Sequence, residues 1–385
     1  MIKHSIQWVY SRFTNMLDRR MRPNTVVLCC FSLLVCLSVW QLITGPGPPT
    51  PSYLLEVSTP PSQFAANWIS DANVTYEYPL NVLLPDDYHQ LIDMNNFNFT
   101  IMNNACNETS PLLLILIHSD PKNVHRRKVI RETWGQKMDN VVLLFVLGEM
   151  DRKLQAKLNA ENETFADFVQ GNFVDSYENV TYKHAMVFKY AIYHCPSAKY
   201  ILKTDDDVFV NLITLKDFLH EELSPHGGKD LMFCNLREKP VVNRSYRSKW
   251  RVKFSEYREN YYPDMCPGWS VLYSPDVLFK IYVELQKSSY FWIDDVVITG
   301  VLREKANITL SNNKDWVMSK KALDSLHEWN ESKPYLYGPA DLKAAQIRQL
   351  WNYTLHHVHS KQFHYTFAQT QQHNHNLNAT SSLVT

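Results

Sequence analysis

PLLLILIHS, Pro111 to Ser119, is an unbroken apolar run closed by His118 and Ser119. A short run without polar alternation is the pattern of a strand buried on both faces, as in a sheet covered by helices on each side. It is expected to open such a sheet. Downstream, HRRKVIRETWG (His125 to Gly135) has a helical mixture, with Val129 and Ile130 on one side, Arg127 and Arg131 four apart on another, and a glycine at its end. VVLLFVLG (Val141 to Gly148) repeats the buried-strand pattern, and the charged stretch EMDRKLQAKLNAENETF (Glu149 to Phe165) reads as an exposed helix. KHAMVFKYAIYHC (Lys183 to Cys195) gives a further helix, followed by the strand AKYILK (Ala198 to Lys203). Strands alternating with helices predict an α/β fold with a mostly parallel, doubly wound, Rossmann-like sheet. Ligands of such sheets bind at the carboxyl ends of the strands.

Upstream of that core, Thr25 to Ile43 carries no charge and is about long enough to cross a bilayer as a helix. Lys3, Arg12, Arg19, Arg20 and Arg22 precede it against a lone Asp18, so the positive-inside rule keeps the N-terminus cytoplasmic and predicts a type II signal anchor. A cleaved signal peptide is the competing reading, but no small-residue cleavage pattern follows Trp40. Ten Asn-x-Ser/Thr sequons follow the span and none precedes it, from Asn73 to Asn378. That excess over the roughly three expected by chance agrees with a luminal location. Of seven cysteines, Cys29, Cys30 and Cys36 lie in the span, leaving Cys106, Cys195, Cys234 and Cys266 for up to two disulfides in any of three pairings. No pair has the CxxC spacing of a zinc site. GPGPPTPSYLLEVSTPP (Gly45 to Pro61) is an extended spacer by its proline content. The expected organisation is therefore a cytoplasmic tail at 1–24, the anchor at 25–43, a Pro- and Asn-rich stem at 44–110, a luminal domain at 111–358 and a polar tail at 359–385. Basic and acidic residues balance at 39 each, so no global field favours nucleic acid.

Chemistry concentrates in KTDDDVFVN, Lys203 to Asn211, where Asp205, Asp206 and Asp207 stand between two apolar β-type runs. Adjacent carboxylates at the end of a buried strand are costly without a compensating cation, and oxygen ligands suit Mg²⁺ or Mn²⁺ with room left for phosphate and water. An exposed acidic turn is the bland alternative, and the hydrophobic setting speaks against it. Arg127, Arg131 and Lys203 are candidate helpers for a phosphate or uracil, although arginines on a helix surface are commonly just solvated. A second acidic pair, Asp294 and Asp295, follows Phe291, Trp292 and Ile293. By itself such a pair at a helix start is a common N-cap.

Five blocks in order resemble the β-1,3-galactosyltransferase and β-1,3-N-acetylglucosaminyltransferase family. They are RKVIRETWG (Arg127 to Gly135), DSYENVTYK (Asp175 to Lys183), KTDDDVFVN, YYPDMCPGWSVLYS (Tyr261 to Ser274) and DDV (Asp294 to Val296). The resemblance covers about Leu112 to Thr309. It implies a GT-A-type fold and an inverting enzyme that moves galactose from UDP-galactose in β-1,3 linkage to a glycan acceptor, with UDP-N-acetylglucosamine as the alternative donor. It further implies that Asp207 ligates Mn²⁺, that Asp205 contacts the ribose, that Asp206 faces the donor sugar or the metal's surroundings, and that Asp295 is the catalytic base. A membrane-bound Golgi enzyme with a luminal catalytic domain is the corresponding location. Trp292 and Trp269 are candidates for stacking on a sugar face. Three departures stand out: Asp294 replaces the family's glutamate, the following glycine sits one residue later, at Gly300, and none of His327, His356 and His357 convincingly matches the family's late histidine. A luminal glycan-binding protein with a dead site and a two-carboxylate glycoside hydrolase are the rival classes. Donor-dependent, metal-dependent UDP release separates them.

Overall fold

The apolar runs become the centre of one sheet. The computed structural model describes residues 76–106, 110–326 and 335–356. The expected anchor, the proline-rich spacer and the tail after 358 lie outside these. Among the described residues no helix is long and apolar enough to cross a membrane. In chain order the strands are β1 (Phe99–Met102), β2 (Leu113–His118), β3 (Val141–Glu149), β4 (Phe168–Val174), β5 (Tyr200–Asp205), β6 (Met232–Cys234), β7 (Ser270–Tyr273) and β8 (Ser311–Asn312). They form a mixed eight-stranded sheet in the order β1-β4-β3-β2-β5-β7-β6-β8.

The parallel part, β4-β3-β2-β5, is the one the buried runs predict. The expectation of a mostly parallel sheet is corrected at both flanks, because β1, β7 and β6 all make antiparallel pairs. These strands are three or four residues long, too short to display a periodicity. Within the parallel part, β3 and β4 extend the sheet to one side of β2 while β5 lies on the other. The crevice at the carboxyl ends of β2 and β5 is therefore the topological switch point, where this kind of sheet binds ligands.

All six residues of β2 are buried, and alternate side chains enter opposite layers. Leu114 and Leu116 join the layer built on the helices Val180–His194 and Pro275–Leu285, while Leu113, Ile115 and Ile117 join the opposite layer with Val129 and Ile130 of the helix Val124–Glu132. The helices are α1 (Val124–Glu132), α2 (Arg152–Phe165), α3 (Val180–His194), α4 (Leu212–Phe218) and α5 (Pro275–Leu285). As its charge predicts, α2 buries only Leu158. Its start is capped by Asp151, whose carboxylate accepts from the amides of Lys153 and Leu154 at 3.0 and 3.1 Å. By contrast α3 is buried along most of its length, including Lys183, His184 and Lys189.

The expected stem ends well before residue 110. Leu91, Ile92 and Phe97 are core residues, β1 pairs with β4, and buried Asp87 accepts from the hydroxyls of Tyr193 and Tyr282 at 2.9 and 2.7 Å. The Asn-rich composition hid this because few of its apolar residues are needed to dock an edge strand. Of the three cysteine pairings left open, the structure has Cys106–Cys195 and Cys234–Cys266. The first ties the segment after β1 to the end of α3. The second closes the long loop between β6 and β7.

Candidate active site

Both acidic clusters face one cleft of about 780 Å³ at the switch point. β5 carries Lys203 and Asp205 on the same face, and the chain turns sharply through Asp206 and Asp207. Asp206 is almost fully buried and held from three sides. Its carboxylate accepts from Ser119 Oγ at 2.7 Å, Asn123 Nδ2 at 3.0 Å and Arg126 Nη1 at 3.1 Å. The same Arg126 nitrogen lies 3.0 Å from Asp207 Oδ2. Burial pushes Asp207 up, partly opposed by Arg126, and burial also pushes Asp205 up to about 6 despite Lys203. The triplet is thus short of positive charge, as a site for a dication is expected to be. Asp341, on a loop whose neighbour Leu342 donates its amide to the Asp207 carbonyl, adds negative charge beside Asp207.

Lys203 connects the two clusters. Its buried ammonium donates to Asp205 Oδ1 at 2.8 Å and to the Gly268 carbonyl at 2.7 Å, and lies 3.9 Å from Asp294 Oδ2. Gly268 is required by this approach, since a Cβ there would stand 2.7 Å from the Lys203 nitrogen and collide with the Asp295 carboxylate.

Asp294 and Asp295 are not a helix cap. The segment Asp295–Leu302 is a π-helix, Asp294 has right-handed helical angles, and its side chain caps no backbone amide. π-Helical turns recur at functional sites because they re-aim side chains. Asp294 instead pairs with buried His184 of α3, Nδ1 to Oδ2 at 2.8 Å. Burial lowers the imidazole pKa despite this carboxylate, so neutral His184 donates from Nδ1 and accepts at Nε2 from the Tyr273 hydroxyl at 3.4 Å. For Asp294 the upward push of burial is outweighed by Lys203 and His184, which hold it below the usual carboxylate range. For Asp295 the opposing pull of Lys203 is too weak to prevail. Burial and the adjacent Asp294 charge drive it well above that range. Two adjacent carboxylates with pKa values pushed apart mark a division between a fixed charge and a proton acceptor. As a proton acceptor Asp295 would have to be ionised, so an activity that depends on it should rise with pH through the raised pKa. A kcat/KM profile whose acidic limb lies no higher than an ordinary carboxylate would remove this assignment.

Arg127 and Arg131, expected at the nucleotide, do not line the cleft. Arg127 is fully buried, with Nε and Nη2 on the Glu161 carboxylate at 2.9 and 2.8 Å and further bonds to Ser119 Oγ, Asp120 O and Pro121 O. Arg131 bonds Glu161 and Asp167 and lies 4.0 Å over the Phe165 ring. Both fix the β2–α1 turn and α2, which corrects the expectation. Arg126 is the arginine that reaches the acids, and the sequence signal for it was only its place beside Arg127. Arg127→Ala should therefore cost roughly 1–3 kcal/mol of stability, because it leaves Glu161 with Arg131 alone and removes the donor to Ser119, Asp120 and Pro121, read by denaturant unfolding. Donor KM of the folded fraction should be unchanged, and a large rise in donor KM at normal stability would return Arg127 to the nucleotide site.

Sequence reasoning also missed His118, Tyr177 and Lys183, all of which line the cleft. Both ring nitrogens of buried His118 lack a partner among the described residues, and burial lowers its pKa far enough to keep it neutral. Lys183 bonds the Ser119 carbonyl and Asp175 at 2.9 and 2.8 Å. Trp269 and Trp292 line the cleft as well. Among the described residues no three His, Cys, Asp or Glu side chains form a preassembled metal group.

Residues 125–314 match the family model described as Galactosyltransferase. UDP-GalNAc:beta-1,3-N-acetylgalactosaminyltransferase 1 of Rattus norvegicus is 32% identical over 222 residues, covering 54% of this chain and 65% of that protein. Lactosylceramide 1,3-N-acetyl-beta-D-glucosaminyltransferase of Mus musculus is 33% identical over 215 residues, covering 53% and 57%. Beta-1,3-galactosyltransferase 5 of Pan paniscus is 32% identical over 213 residues, covering 53% and 68%. The chain thus spans less than two thirds of the length of the first two relatives. An active-site mutant of LgtC overlaps 62% of this chain and 94% of its own at 12% identity and a TM-score of 0.31, too distant to carry an argument. The chain belongs to the galactosyltransferase family, among relatives named as β-1,3 transferases of galactose, N-acetylgalactosamine and N-acetylglucosamine.

Proposed function

We propose that this chain is an inverting β-1,3-glycosyltransferase with a GT-A-type architecture, taking a UDP-sugar as donor and a glycan as acceptor. The observation that carries the reading is the joining of the acidic triplet to the Asp294–Asp295 pair across one cleft by Lys203. The residues fit a dication such as Mn²⁺ held by Asp207, with Asp205 beside it. Burial keeps Asp205 and Asp207 raised despite Lys203 and Arg126, which favours a further cation beside them, and diphosphate oxygens would complete the oxygen ligands that the protein alone does not supply. When bound, the dication offsets the negative charge that develops on UDP as it leaves.

Around that centre each side chain has a separate task. Arg126 neutralises the acids and reaches the phosphate side. Asp206, immobilised by Ser119, Asn123 and Arg126, sets the turn. His118 offers unpartnered ring nitrogens to polar groups of the donor. Asp295 accepts the proton of the attacking acceptor hydroxyl, so that the oxygen approaches the anomeric carbon from the face opposite UDP and the configuration inverts. His184 and Asp294 hold the floor beneath it. A hydrolase reading lacks a use for the triplet and Arg126. A type II Golgi membrane enzyme is the organisation we propose around this domain.

Galactose is the donor sugar we favour. Relatives that carry N-acetylhexosamines keep UDP-N-acetylglucosamine and UDP-N-acetylgalactosamine as comparators. Competition among the three UDP-sugars at equal concentration, with UDP release and product mass as readouts, tests the choice. UDP-galactose should be consumed fastest, and preferential consumption of either N-acetylhexosamine donor reassigns it.

A further inference from the structure

The loop between β6 and β7, closed at its base by Cys234–Cys266, contributes Asn243, Lys249 and Trp250 to the lining of the cleft. Its middle, NRSYRSKWRVKFSEYREN (Asn243 to Asn260), holds Arg244, Arg247, Lys249, Arg251, Lys253 and Arg258 against Glu256 and Glu259. The whole chain is neutral, so this is a local concentration. Aromatic rings alternate with the cations and stand exposed, Tyr246 at 86% and Trp250 at 50%. Two cations shape the loop: Arg244 donates to the carbonyls of Val252, Tyr257 and Glu259, and Arg251 lies 3.6 Å over the Tyr246 ring. Lys249 does something different. Its ammonium sits 4.4 Å from the Trp250 ring and 5.7 Å from the Tyr177 ring, and Tyr177 in turn contacts Trp292 at 5.8 Å. This series of contacts ends at the segment that bears Asp295, so Lys249 and Trp250 lie on the proton-acceptor side of the cleft. Arg237, at the root of the loop, lines the same cleft. Among the described residues neither Lys249 nor Arg237 forms an ion pair with a carboxylate.

Resting on the transferase reading above, we infer that this loop is an acceptor subsite for a glycan that carries an anionic substituent, a carboxylate or a sulfate ester, near the accepting hydroxyl. Trp250 and Trp292 supply faces for sugar rings, and Lys249 with Arg237 supplies the countercharge. Neutral acceptors would leave two cations at the cleft without a partner.

The test uses the full-length protein and three acceptors with the same β-linked disaccharide core, one neutral, one bearing a uronic acid and one bearing a sulfate ester. The expected result is a kcat/KM at least roughly 10-fold higher for one or both anionic acceptors, carried by KM. The uronate and sulfate arms identify the anion. The preference should shrink in 0.5 M NaCl as screening weakens it. In the exposed-site variants Lys249→Gln and Arg237→Gln the anionic-to-neutral ratio should approach 1. Equal use of neutral and anionic acceptors by the unsubstituted protein overturns the inference, as does a ratio untouched by the variants or a variant effect that falls on donor KM. Acceptor-free UDP-sugar hydrolysis keeps the two levels apart. Hydrolysis without discrimination among acceptors removes the subsite alone, whereas neither hydrolysis nor transfer removes the transferase reading with it.

Discussion

Asp295→Asn is expected to lower kcat roughly 10³-fold while leaving donor KM within a few-fold of the unsubstituted protein. Asparagine keeps the shape and removes the ability to take a proton. Both acids line the cleft, but Asp294 is occupied by His184 Nδ1 at 2.8 Å and held low by Lys203, whereas Asp295 is raised. A group that must accept a proton in the transition state benefits from that elevation; a group that only supplies fixed charge does not. Asp294→Asn should act differently, since it leaves His184 in place but weakens the charge that opposes Lys203. Its effect should appear as a displaced pH profile with residual turnover. If Asp295→Asn retains most of its kcat and Asp294→Asn does not, the roles are reversed.

Asp207→Ala is expected to reduce kcat/KM by about 10³-fold and to flatten the dependence on dication concentration, an effect of the several kcal/mol a Lewis acid contributes to a departing phosphate. UDP affinity in the presence of Mn²⁺ should fall in parallel, while UDP affinity in EDTA should hardly change. Asp206 provides the contrast. Three side chains hold its carboxylate, so Asp206→Asn should lower thermal stability together with activity, whereas Asp207, whose carboxylate pairs among the described residues with Arg126, should leave the fold intact when truncated.

The parallel centre of the sheet was legible because burial on both faces leaves an unambiguous mark: β2, β3 and the start of β5 are continuous apolar runs, and the acidic triplet lies where β5 ends. The flanks were not legible. β6 and β7 are three and four residues long, and β1 is embedded among asparagines, so neither hydrophobic period nor composition announces them. In the site, sequence pattern singled out carboxylates well because acid beside apolar sequence is physically costly. It placed the arginines poorly. Adjacent arginines in α1 differ by about 100° of helical rotation, which turns Arg127 into the interior and Arg126 toward the acids. His184 was invisible for a related reason: within KHAMVFKYAIYHC a histidine reads as one more buried residue, and only the fold brings it against Asp294, whose sequence position is 110 residues away.

The most direct test is transfer by the full-length protein from a UDP-sugar to a glycan panel, with Mn²⁺ or EDTA, followed by determination of the new linkage and its anomeric configuration. The account predicts dication-dependent release of UDP coupled to a β-1,3-linked product formed with inversion. Release of sugar from the glycan without consumption of UDP-sugar, or glycan binding with no turnover of any donor, would contradict it.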